Sequence, residues 1–65
     1  MKLISAATHK IAETIARDKG LTSVQWYFIP HSPENIRQER LRGWHAPEED
    51  LIGYFSTEER MLLKR

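Results

Sequence analysis

The residues best suited to proton transfer or metal ligation in this chain are three histidines, His9, His31 and His45. His45 stands three residues before Glu48, a spacing that some helical ligand pairs use. Pro47, however, suits the first turn of a helix and so leaves His45 outside it. Cysteine is absent, which removes the thiolate ligands of the common zinc sites, and no recognised ligand spacing remains. No metal or other cofactor is expected. Glu48, Glu49 and Asp50 set carboxylates side by side, as acid–base chemistry would require, but a helix start accounts for them through its dipole. Gly20, Gly43 and Gly53 are dispersed singly, so there is no glycine-rich phosphate loop. A chain of 65 residues also has little material with which to enclose a ligand site of about 300 Å³ or more. The expectation is a protein that is not an enzyme and has no small-molecule substrate.

Binding is the chemistry that the sequence favours. Trp26, Tyr27 and Phe28 are consecutive and make up half of the chain's Trp, Tyr and Phe residues, with Val24 and Ile29 on either side. Adjacent side chains cannot all face one core, whether the segment is helix or strand. Something apolar must therefore cover both sides of the run, and a partner is one candidate for the second cover, since aromatic residues anchor protein interfaces. Trp26, Tyr27 and Phe28 are the expected contacts, with Arg37, Arg40 and Arg42 as a polar rim. The expected occupant is another protein or a second copy of the chain.

Length and charge constrain that reading. A single domain of this size, residues 1–65, buries only roughly 60% of the surface of its unfolded chain. Without disulfides, self-association is the simplest supplement to so thin a core. Ten Lys and Arg against nine Asp and Glu give a net charge of +1, short of the strongly basic balance of a nucleic-acid-binding domain. The start Met1-Lys2-Leu3-Ile4-Ser5-Ala6-Ala7 resembles a signal peptide until Thr8, His9, Lys10 and Glu13 interrupt it. No apolar run approaches the ~20 residues that span a bilayer. A mature, soluble, cytoplasmic protein is expected, and the lack of cysteine fits a reducing compartment.

The elements that would position these residues read as mainly α, four or five short helices. Ile4, Ala7, Ile11 and Ile15 recur at helical spacing, so Leu3 to Lys19 is predicted to be an amphipathic helix, with Glu13 and Arg17 paired on its surface and Gly20 ending it. The aromatic segment has the composition of a strand. Thr22 and Gln25, though, form a capping-box pattern and Pro30 a stop, which tilts it towards a short helix. The alternative is an α+β fold in which residues 24–29 form a strand pairing across a dimer. Ser32, Pro33 and Glu34 start a helix running to Arg42 and ending at Gly43. Pro47 and its acidic followers start another through Leu51, Ile52, Tyr54 and Phe55. Ser56 and Glu59 cap a last one, with Lys64 and Arg65 at its C-terminus.

One local pattern carries a different function. Ile15-Ala16, Gly20-Leu21, Thr22, Trp26 and Ile29 resemble a helix-turn-helix motif: a small residue on the first helix, glycine four positions on, a capping Thr, then inward apolar residues. The resemblance covers about a quarter of the chain. It implies that Ser23, Gln25 and Tyr27 face the major groove, with Arg37 and Arg40 contributing phosphate contacts. The implied recognition helix carries no Lys or Arg, although phosphate neutralisation supplies much of the affinity of such complexes. The sequence thus predicts a small regulatory or adaptor protein acting through protein–protein binding or self-association, with DNA binding as the alternative.

Overall fold

Leu3, Ile4, Ser5 and Ala6 are all fully buried, which one stripe of an amphipathic helix cannot achieve. A central strand covered on both faces can. In a computed structural model describing residues 1–64, these residues lie in strand β1, Lys2–Ala6. Helix α1, His9–Asp18, follows, then strand β2, Trp26–Pro30, and helix α2, Pro33–Leu41. A 3-10 turn at Glu48–Asp50 leads into strand β3, Leu51–Gly53, and helix α3, Thr57–Leu63. Among the described residues the fold is therefore mixed α and β, with three α-helices and one three-stranded parallel sheet, rather than four or five helices. The expected role of Arg65 at the last helix end lies outside the described residues.

The strand order is β2-β1-β3. The chain moves from β1 to β2 through α1, then returns past β1 to β3 through α2. Right-handed crossovers running in opposite directions must carry their helices on opposite faces, and the core divides accordingly. Ile4 and Ala6 pack with Ala12 and Ala16 of α1, joined by Trp26, Phe28 and Ile52. Leu3, Ile29 and Leu51 pack on the other face with Ile36 of α2, Leu63 of α3, and Phe55. Odd and even strand residues thus feed different cores, which is the period of two expected of a strand.

Three helical expectations give way to this arrangement. The 3.6 periodicity of the first segment is real only from His9 onward; Thr8 is the N-cap, its side chain accepting the Ile11 N–H at 3.2 Å. The Thr22–Gln25 pattern is also real, since Gln25 Oε1 accepts the Thr22 N–H at 2.8 Å and the Gln25 N–H reaches the Thr22 carbonyl. It closes a turn into β2 instead of opening a helix. The aromatic run is a strand, but over residues 26–30, and it pairs with β1 of its own chain rather than across a dimer. Leu51 to Gly53 supplies the other flank of β1, so the predicted helix there is limited to the acidic 3-10 turn before it.

Other signals hold. Ser32 caps α2 with proline in its first turn, and Ser56 with Glu59 forms a complete capping box on α3. Helices α1 and α2 both end in a Schellman motif. The Leu21 N–H bonds to the Ala16 carbonyl and that of Gly20 to Arg17; the Trp44 N–H bonds to Glu39 and that of Gly43 to Arg40. Among the described residues no helix is long and apolar enough to cross a membrane.

Candidate binding edge on strand β2

Both β2 and β3 are edge strands, and they end in different states. In a parallel ladder, alternate residues point their N–H and C=O towards one neighbour and the residues between them point the other way. The Lys2 N–H bonds to the Gln25 carbonyl, and the His31 N–H to the Ala6 carbonyl. With Lys2 opposite Trp26 and Ile4 opposite Phe28, Tyr27 and Ile29 must bond to β1. The main-chain groups of Trp26, Phe28 and Pro30 must face outward. Pro30, having no N–H, is tolerated here because its nitrogen points away from the ladder. Among the described residues, nothing meets the outward N–H and C=O of Trp26 and Phe28.

The outer edge of β3 is largely closed by the chain itself. The Leu51 N–H bonds to the Glu48 carbonyl. The Leu51 carbonyl accepts Arg60 Nη1 at 3.1 Å, and the Gly53 carbonyl accepts the Phe55 N–H at 3.0 Å. An unpaired edge is a template for another strand, and folds commonly block it. Here one edge is blocked and the other is not.

An open cleft of about 520 Å³ lies along the free edge on the α1 face, lined by His9, Glu13, Ala16, Arg17, Leu21, Ser23 and the aromatic run. The His9 ring stands 5.5 Å from that of Trp26 and 5.3 Å, edge-on, from that of Phe28. Glu13 turns towards His9 at 3.9 Å. The expected Glu13–Arg17 pair does not form, and Arg17 has no ion-pair partner among the described residues. Ala16 and Leu21 supply apolar floor, so the cleft combines main-chain hydrogen-bonding groups, aromatic faces and an arginine that makes no ion pair among the described residues.

Tyr27 lies on the opposite face, its ring stacked on Trp44 at 4.2 Å with 15° between planes. Glu39 is buried beside it and takes Arg42 Nη1 at 3.3 Å, while its Oε2 has no hydrogen-bond partner among the described residues. The Glu39 carboxylate beside it, with burial behind, holds the Tyr27 phenol above its ordinary pKa.

The sequence-predicted contacts are thus divided. Trp26 and Phe28 share the cleft, whereas Tyr27 belongs mainly to the second core. Arg42 is bound to Glu39, Arg40 is exposed on α2, and Arg37 borders a separate groove with Ser56 and Glu58 between α2 and α3. Ser23 lines the β2 cleft, Gln25 is spent on its turn, and no recognition helix exists for either to occupy. His9, Glu13, Arg17 and Leu21 were not legible as site residues, because their meeting with Trp26 depends on α1 folding back over β2.

The other place to look is the carboxyl end of the sheet, where open parallel sheets bind ligands at the point of reversing strand order. Thr8, Ser32 and Ser56 all cap helices there. His31 lies 3.7 Å from Glu59 and 6.1 Å, ring to ring, from Tyr54. Glu59 is committed, however, accepting the Ser56 N–H at 2.8 Å. Among the described residues no group of three or more His, Cys, Asp and Glu residues is placed to hold a metal. The chain matches no protein-family model, no curated protein and no solved structure.

Proposed function

We propose that this protein is a non-enzymatic binding module of regulatory or adaptor type, which captures an extended segment of another protein on the outer edge of β2. The observation that carries this reading is the contrast between edges: β3 closes most of its outward groups with Glu48, Arg60 and Phe55, while among the described residues Trp26 and Phe28 leave theirs open beside an aromatic cleft. Strand addition draws affinity from main-chain bonds and specificity from alternate side chains. Trp26 and Phe28 offer both, because the residues whose backbone faces outward are those whose rings line the cleft.

The test combines selection from a displayed library of random linear peptides with amide hydrogen exchange. In the free protein the Tyr27 and Ile29 amides should exchange slowly, held by β1, and those of Trp26 and Phe28 quickly. A selected peptide should slow Trp26 and Phe28. The chain is short enough for total synthesis, and N-methylation at Phe28, which removes only the outward donor, should abolish binding while leaving the circular dichroism unchanged. Binders that leave both amides unprotected, or a library that yields none, would overturn the reading.

A further inference from the structure

We infer that the segment captured on β2 is acidic, presenting an Asp or Glu side chain to Arg17 from the same face on which an apolar side chain meets Phe28 and His9; this rests on the edge-capture reading. The argument begins with the cleft's charges. Three ionisable side chains line it on the α1 face: His9, Glu13 and Arg17. The Glu13 carboxylate lies 3.9 Å from the His9 ring and makes no ion pair with Arg17. Arg17, one helical turn beyond Glu13, stands at the rim with no ion-pair partner among the described residues. A guanidinium in that position offers a planar fork that matches a carboxylate in two parallel hydrogen bonds.

Topology fixes where along the segment each side chain must lie. Helix α1 runs against the strands, from Thr8 at the carboxyl end of the sheet to Asp18 at the other. His9 thus sits over Trp26 and Phe28, and Arg17 lies towards Leu21 and Ser23, where β2 begins. Side chains two apart on an added strand share a face and are separated by ~7 Å. One therefore rests against Phe28 and His9 while the next on that face reaches past Trp26 to Arg17. Intervening side chains point to the Tyr27–Trp44 side, where Arg42 is already neutralised by Glu39. The demand for negative charge is confined to the α1 face, and the recognised pattern is an apolar and an acidic residue separated by one.

Synthetic peptides identical except for Glu, Gln or Lys at the position facing Arg17 give the test, with affinity measured by calorimetry. The Glu peptide should bind about fivefold more tightly than the Lys peptide, the scale of an exposed ion pair, with Gln between them. Arg17→Glu should reverse the order while leaving the protein folded, since Arg17 is exposed. Equal affinities for the three peptides, with Trp26 and Phe28 amides still protected, would overturn the acidic preference and leave edge capture standing. Loss of that protection would overturn both.

Discussion

Arg60 Nη1 donates to the Leu51 carbonyl at 3.1 Å, reaching from α3 across to the outer edge of β3. Among the described residues, nothing does the same for the outer edge of β2. Replacing Arg60 with Met keeps most of the apolar stem but leaves a partly buried carbonyl unpaired. The expected loss is about 1 kcal/mol of folding stability, the usual worth of such a bond, measured by urea denaturation. Unchanged stability in Arg60→Met would show that water replaces the guanidinium at no cost.

Gly53 is required by its neighbour. It lies opposite Ser5 in the ladder with φ of 95°, and a Cβ there would run into the Ser5 backbone carbonyl. Gly20 also has positive φ, at 71°, but opens onto empty space. Gly20→Ala should therefore cost only the backbone strain, about 1 kcal/mol. Gly53→Ala adds a clash with main chain that cannot move without parting β1 from β3, and should cost about 3 kcal/mol or more. Thermal denaturation of the two variants side by side distinguishes them, and equal losses would mean that β3 shifts freely.

Local chemistry was legible in the sequence and pairing was not. The caps at Ser32 and Ser56, the stop at Gly20 and the Thr22–Gln25 bond are all interactions within a few residues, and each occurs as the residue types suggest. What β1 would become depended on residues far along the chain. Leu3 to Ala6 continues the apolar rhythm of α1 closely enough to look helical, and only β2 and β3 on either side make it a strand. The aromatic run is covered on both sides from within the chain, by α1 over Trp26 and Phe28 and by Trp44 over Tyr27, so a partner is not its second cover; spacing alone reveals neither.

Ser5 carries a buried hydroxyl that finds no hydrogen-bond partner among the described residues. An unmade bond of this kind costs about 1 to 3 kcal/mol, while the side chain is small enough that alanine fills nearly the same space. Ser5→Ala is therefore expected to raise stability by about 1 kcal/mol, seen as a higher denaturation midpoint with unchanged m-value. A destabilised variant would mean that the hydroxyl has a partner, such as a fixed water, whose loss outweighs the gain.

Tyr27 gives the protein a specific alkaline sensitivity. Its phenol is held above the ordinary value of 10.0, first by the Glu39 carboxylate beside it, then by burial. In the unfolded chain the same group ionises near its ordinary value, so below that pH both states carry the proton and the contribution to stability is complete. As pH rises past 10 the unfolded state releases its proton first. Stability then falls until the folded phenol also ionises. Tyr27→Phe removes this component. The difference in unfolding free energy between the two proteins should therefore be constant between pH 7 and 9 and shift against the native sequence above pH 10. Parallel curves across the whole range would mean that Glu39 does not hold the phenol's proton.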